Sequence, residues 1–199
     1  SFYKGNGGVL IGSVLRRFAF ALRFRDLRIL LSGYITGRSR IMFCRNIKER
    51  VHKIAPFLDY DNDPYMVLAH GRLYWLQDAY MTTNRYPYSQ PYEGKFNYIR
   101  NSVKLTIDAY NGAVNFYIAD PEDPIIQTYN RIFPKLFKPF DAMPGPLKAH
   151  IRYPEGLFKI QAEIYRAYHM RDPQVFYNKE DLWSLPSEIT EQAGAPMPM

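Results

Sequence analysis

Three aspartates at alternate positions are the first side chains in this sequence that could do chemistry. Asp59, Asp61 and Asp63 lie in the run DYDND, and carboxylates at this spacing begin the calcium-binding loop of EF-hand proteins. The rest of that loop does not follow, because Pro64 stands where glycine is required and His70 where a bidentate glutamate belongs. The favoured interpretation is a solvated turn, and a calcium site is the alternative.

Two further aspartates could support hydrolysis. Asp78 and Asp108 each begin the triplet Asp-Ala-Tyr near the end of a predicted strand. Glycoside hydrolysis uses two carboxyl groups separated by less than about 10 Å. These two residues are therefore the candidates for an envelope glycan or peptide hydrolase, although nothing in the sequence pairs them.

Other catalytic or cofactor motifs are incomplete. The four histidines lie far apart in the sequence, and Cys44 is the single cysteine, so neither zinc-ligand spacing nor an internal disulfide is present. The glycine-rich run at 5–12 precedes a predicted helix but lacks the Lys-Ser/Thr of a phosphate-binding loop, which favours a flexible tether. We therefore predict no cofactor and favour a protein that is not an enzyme.

Basic residues concentrate at the start of the chain. Residues 1–50 contain 11 Lys/Arg and 2 Asp/Glu, whereas the whole chain has a net charge of only +7. The predicted helix at 8–31 carries two opposite apolar stripes separated by arginines, which predicts burial on two sides. Those arginines, with snorkelling side chains, are the predicted membrane-surface residues: Arg16, Arg17, Arg23 and Arg28. A solvated basic helix, or a break near Asp26 that gives two short helices, is the alternative.

The remaining elements follow from periodicity and turn signals. A second helix is predicted from Ser39, as N-cap, to Ala55. Alternating apolar residues predict one hairpin from strands at 65–69 and 73–81, and another from strands at 102–110 and 113–119 around Asn-Gly. Helices beginning at Asp-Pro or Pro-Glu pairs follow, near residues 124, 154 and 173.

These elements predict an α+β fold in which an antiparallel sheet of about four strands, formed by two hairpins, packs with N- and C-terminal helices. The predicted organisation is a basic amphipathic juxtamembrane helix and linker at 1–38, a single α+β domain at 39–186 and a tail at 187–199. No uncharged apolar run is long enough for a spanning helix.

Several longer runs, including KGNGGV, RNIKERVHKIAPFLDYDNDPY, IDAYNG and FYNKEDLW, resemble uncharacterised protein family 0182, a group of large bacterial and archaeal integral membrane proteins. The resemblance covers nearly the whole chain. It implies that the chain is the first part of a long soluble region that follows several spanning helices. It implies no catalytic residues, because no activity is established for the family.

The sequence and the resemblance together favour a non-catalytic extracytoplasmic domain of a membrane protein, which acts in binding or assembly at the cell envelope. The expected partners are the membrane surface, through residues 1–31, and the remainder of the full-length chain; a second copy of the chain is an open alternative. Nucleic acid is not an expected partner, because few basic residues accompany the aromatic run near Tyr98. A hydrolase and a transport accessory domain are the alternative functions.

Overall fold

The structure is a computed structural model, and it describes residues 3–186 and the backbone of 187–188 and 197–198. The chain forms two compact units. The first contains residues 1–60 and 64–151, and the second contains residues 61–63 and 152–199. This division differs from the boundaries predicted after residues 38 and 186, which stay predictions because compact units are not by themselves independent domains. The predicted tail lies largely outside the described residues.

Helices and strands are interspersed along the chain. The helices are α1 (Val14–Phe24), α2 (Arg28–Leu31), α3 (Ile47–Ile54), α4 (Pro124–Ile132), α5 (Gly145–Lys148), α6 (Glu155–Tyr165) and α7 (Pro173–Asn178). The strands are β1 (Val9–Leu10), β2 (Arg40–Ile41), β3 (Asp59–Tyr60), β4 (Tyr65–Ala69), β5 (Arg72–Thr83), β6 (Tyr98–Asp108), β7 (Val114–Ile118), β8 (Phe137–Pro139), β9 (Ser187–Glu188) and β10 (Met197–Pro198).

The main sheet has six strands, so the predicted count of about four was too low. Both predicted hairpins are present: β4 pairs with β5, and β6 pairs with β7 across the Asn-Gly turn. The two additional strands are short. β3 pairs antiparallel with β5, and β8 pairs parallel with β7. A parallel neighbour requires a crossover connection, and α4 lies in that connection.

Each face of the sheet covers a separate hydrophobic core, because successive side chains of a strand point to opposite faces. One core gathers sheet residues such as Leu105 and Phe116 with Val51 of α3 and Ile126 of α4. The other gathers residues such as Leu76 and Tyr117 with Leu147 of α5. The predicted combination of helices with a sheet is confirmed, but the sheet is mixed where an antiparallel one was predicted, because β8 is parallel to β7.

Side-chain caps determine where two of the helices in the first unit begin. Asn46 accepts the backbone N–H groups of Lys48 and Glu49, so α3 begins after Asn46 and the predicted start at Ser39 is wrong. Asp123 accepts the N–H of Ile125 at 2.9 Å and begins α4. Capping of this kind satisfies N–H groups that have no partner inside the helix.

The N-terminal segment is two helices, as in the alternative that placed a break near Asp26. α1 ends at Arg25, which adopts a left-handed conformation with φ 54°. The Asp26 carboxylate then accepts a hydrogen bond from the backbone N–H of Arg28 at 3.0 Å, and α2 follows with Leu27 as its N-cap. The predicted helical start at residue 8 is wrong, because Val9–Leu10 pairs with Arg40–Ile41. Within the described residues, no helix has the length and apolar character that crossing a membrane requires.

Candidate functional site

One side of α1 carries exposed apolar residues, which we call the α1 stripe: Val14, Leu15, Phe18 and Leu22. Leu15 and Leu22 are 81% and 72% exposed, and Phe18 is 58% exposed. The other side of the helix packs on its own unit, where Ala21 is buried and the ring of Phe20 lies 5.8 Å from that of Phe43. The predicted burial on two sides is therefore seen on one side only.

The four predicted membrane-surface arginines have different environments. Arg17 donates to the backbone carbonyls of Ile11 at 3.1 Å and of Ile35 at 2.6 Å, so it ties α1 to the chain on both sides of the helix. The guanidinium of Arg28 forms an ion pair with the carboxylate of Asp26, with 2.9 Å between the nitrogen and oxygen atoms. Arg16 donates to a backbone carbonyl at 3.2 Å, and Arg23 lies over an aromatic ring, yet both side chains are exposed. On the helix, Arg16 and Arg23 share one flank of the α1 stripe.

The first unit also contains a cavity of about 560 Å³, which we call the basic cavity. Its walls come from α3, from the turn between β6 and β7, and from the chain around β1 and β2. Apolar walls are supplied by Ile47, Ile54, Trp75 and Ile107, among others. This volume lies within the range of small-molecule sites.

Three cationic side chains line the basic cavity: Arg45, Arg50 and Lys53. Arg50 donates to the carbonyl of Cys44 at 3.0 Å, and its Nε atom is buried without a hydrogen-bond partner in the part of the chain that the structure describes. Lys53 contacts the Glu49 carboxylate and lies 3.3 Å from the Cys44 sulfur. The hydrogen bond with Glu49 raises the pKa of Lys53, which keeps this side chain charged.

Glycines allow the backbone to approach closely at the edge of the cavity. A Cβ on Gly7 would lie 2.2 Å from the carbonyl oxygen of Asn111, and one on Gly112 would lie 2.9 Å from the guanidinium carbon of Arg50. Gly112 also has a φ of +72°, which L side chains rarely adopt. Gly7 therefore packs against the β6–β7 turn, while Gly8 and Gly12 lie against Ile41 and Gly37, contacts that the interpretation as a flexible tether did not include.

The two hydrolase candidates do not face each other. Asp78 lies opposite Lys104 and Asp108 opposite Tyr74, which places the two aspartates four residues apart along the sheet, roughly 13 Å at the rise of a β-strand. Each also has a structural role. Asp78 forms a buried ion pair with Lys104, and Asp108 accepts two backbone N–H groups of its own turn and pairs with Arg72 at 2.9 Å. This separation and these contacts argue against the alternative in which Asp78 and Asp108 act together as a hydrolytic carboxylate pair.

Two of the three aspartates of the calcium alternative accept hydrogen bonds within the fold. Asp59 accepts a hydrogen bond from the hydroxyl of Thr82. Asp61 is buried and accepts the N–H groups of Asp63 and Gly156, both at 2.9 Å. Among the residues that the structure describes, no group of three or more His, Cys, Asp or Glu side chains is placed to hold a metal ion. The Asp61–Asp63 contact is that of a turn, but the predicted solvated turn is wrong at Asp61, which is buried.

Sequence reasoning did not find the basic cavity, because its residues come from segments that are distant in the chain. One signal was available. Asn46 and Glu49 have the spacing of a capping box, which would have started α3 after Asn46 and left Cys44 and Arg45 in the chain before the helix.

Sequence comparison adds the family to this geometry. The sequence matches the family described as "Uncharacterised protein family (UPF0182)" over residues 1–199. The chain belongs to this family. Its relatives include UPF0182 proteins of Pelotomaculum thermopropionicum (56% identical over 197 residues), Sulfurovum sp. (57% over 192 residues) and Synechococcus sp. (54% over 198 residues).

These alignments cover 99%, 94% and 99% of this chain but 22%, 21% and 23% of the respective UPF0182 relatives. The chain therefore spans about a fifth of the length of the curated relatives it matches. No solved structure matches it. The resemblance seen in the sequence is confirmed, and the chain corresponds to one region of longer proteins.

Proposed function

We propose that this region of a UPF0182 protein is a non-catalytic, extracytoplasmic binding domain that docks on an anionic membrane surface through residues 1–31. The observation that carries the proposal is the α1 stripe, whose apolar side chains are exposed although the opposite side of the same helix packs on its own unit. An exposed apolar helix face with basic residues at its flank is typical of helices that lie in the lipid interface.

Two physical terms favour a membrane as the occupant of this surface. Each apolar methylene that leaves water contributes about 0.8 kcal/mol, and the stripe contains two leucines and a phenylalanine. Each basic residue near an anionic leaflet adds about 1 kcal/mol. Arg16 and Arg23 are exposed, and residues 1–50 carry a net charge of +9. A neutral protein surface would use only the first of these terms.

The extracytoplasmic side is also part of the proposal. The basic N-terminal segment does not oppose this side, because the preference of lysine and arginine for the cytoplasm holds for short loops and large domains translocate largely regardless of charge. Protease protection of the full-length protein in intact cells and in inverted vesicles is the test. Cleavage of this region from outside intact cells is expected, and cleavage in inverted vesicles alone would overturn this assignment.

Vesicle co-sedimentation tests membrane docking. The chain is expected to bind anionic vesicles at low salt, and binding is expected to weaken with added salt because surface charges are screened. Leu15→Ser with Leu22→Ser is expected to lower binding at least tenfold, since both changes remove apolar area from the α1 stripe. Met66→Ser with Leu68→Ser is the matched control, because both residues are exposed but lie on β4.

Two outcomes would contradict membrane docking. The first is no binding to any vesicle, which would indicate that the α1 stripe is covered by another part of the full-length chain or by a second copy. The second is equal loss of binding in the β4 control, which would indicate general hydrophobic adsorption. Arg16→Gln with Arg23→Gln separates the charge contribution, and it is expected to weaken binding to anionic vesicles while leaving the folded state unchanged.

A further inference from the structure

We propose that the basic cavity is a binding site for an anionic amphiphile, a single alkyl chain that ends in a phosphate or a carboxylate. This inference goes beyond membrane docking. The cavity is a recess formed by α3, the β6–β7 turn and the chain around β1 and β2, and it can take a ligand from solution without any contribution from the exposed side of α1.

The charges of the cavity select an anion, with Arg45 and Arg50 as its main cations because Lys53 is already paired with Glu49. Arg45, Arg50 and Lys53 line it, and the Nε–H of Arg50 is a buried donor without a partner in the described chain. A buried donor of this kind costs free energy until an acceptor reaches it. The one carboxylate that lines the cavity, Asp108, is already neutralised by Arg72 and by two backbone N–H groups.

The walls of the cavity select an alkyl chain beside that anion. Ile54, Trp75 and Ile107 line the cavity together with the basic residues, and Trp75 is only half-buried. Inorganic phosphate would leave these walls in contact with water, and an uncharged hydrocarbon would desolvate the cations without pairing them. A molecule that joins an anionic group to an alkyl chain would pair with the basic residues and also cover the apolar walls.

The chain carries two reporters inside the cavity. Trp75 lines it, and Trp183→Phe would leave Trp75 as the single tryptophan because the sequence has two. Cys44 also lines it and is the single cysteine. A ligand in the cavity is therefore expected to change the fluorescence of Trp75 and to slow alkylation of Cys44 at the same ligand concentration.

The experiment titrates the Trp183→Phe chain with decyl phosphate below its micelle concentration, with decanol and inorganic phosphate as ligand controls. Saturable binding of decyl phosphate is expected, together with protection of Cys44, and each control ligand is expected to bind at least tenfold more weakly. Inorganic phosphate binding as tightly as decyl phosphate would overturn the alkyl subsite. Decanol binding as tightly would overturn the anion subsite.

Variants test whether the basic residues hold the ligand. Arg45→Met with Lys53→Met is expected to weaken decyl phosphate binding by about tenfold or more, because charge-assisted hydrogen bonds are lost. Lys48→Met is the matched control, since Lys48 lies on α3 but does not line the cavity. Equal weakening in the control, or binding without protection of Cys44, would overturn the proposal. Because no vesicle is present, this result is independent of membrane docking.

Discussion

The sheet and the α1 helix are both amphipathic, but they differ in where their apolar side chains find partners. Phe116 of β7 is 1% exposed, within a core that the sheet closes with α3 and α4. Phe18 of α1 is 58% exposed. Most of the apolar pattern of the sheet is buried by the fold of this chain, except near the β4–β5 turn, where Met66, Leu68 and Leu73 are exposed. By contrast, the α1 stripe as a whole has no partner in the described residues. A pattern of that second kind points to an interaction.

The largest expected difference between the two regions is in the free energy of unfolding when one phenylalanine of each is replaced by alanine. Phe116→Ala is expected to lower the free energy of unfolding by about 4 kcal/mol, because it removes a buried ring and leaves a cavity. Phe18→Ala is expected to change it by less than about 0.5 kcal/mol, since an exposed side chain loses little burial. Urea denaturation measures both values. Similar losses in the two variants would show that α1 is buried and would remove the contrast.

A smaller effect is expected from the ion pairs. Lys104→Met is expected to cost about 3 kcal/mol, because it leaves the carboxylate of Asp78 buried without its cation. Replacing both residues, with Asp78→Leu added, is expected to recover most of that loss. Arg28→Met, which breaks an exposed pair beside α1, is expected to leave the denaturation midpoint unchanged. A double variant no more stable than the single one would indicate that Asp78 has another essential contact.

The smallest effect is a dependence on pH. Burial, and then the hydrogen bond to Asp123, raises the pKa of Tyr98 to about 12. The unfolded chain loses this proton at a lower pH than the folded chain does, so the contribution of Tyr98 is fully present below its ordinary pKa and is lost as the pH rises towards 12. Tyr98→Phe is expected to flatten that part of the stability curve. Tyr34→Phe, at an exposed residue, is the control.

Local signals predicted those parts of the fold that local interactions determine. The two hairpins follow from alternation and from Asn-Gly, and α4 and α7 follow from their Asp-Pro starts. The strands β3 and β8 were missed because they contain two and three residues, too few for a period to be visible. The strands β1 and β2 also contain only two residues each. Their pairing was missed because both lie in segments whose apolar periodicity predicted helices.

The candidate surfaces were predictable to different extents. The apolar stripes of α1 were visible in the sequence, but the sequence could not show that one of them packs near Phe43 while the other remains exposed. The basic cavity required the tertiary structure, because Arg50 and Gly112 are brought together only by the closing of the second hairpin on α3. Asp78 and Asp108 each begin an Asp-Ala-Tyr triplet, so their motifs do not distinguish them. The strand register of the structure shows that they lie four residues apart along the sheet.

The short outer strands of the sheet bear on how copies of the chain can associate. On one side, β8 has three residues and ends in Pro139, which has no N–H to donate. On the other side, β3 and β4 divide the length of β5 between them, with two and five residues. Neither border offers a long row of unpaired backbone groups, so ordered growth by strand addition is disfavoured. Any self-assembly of this region is therefore expected to proceed through side-chain surfaces.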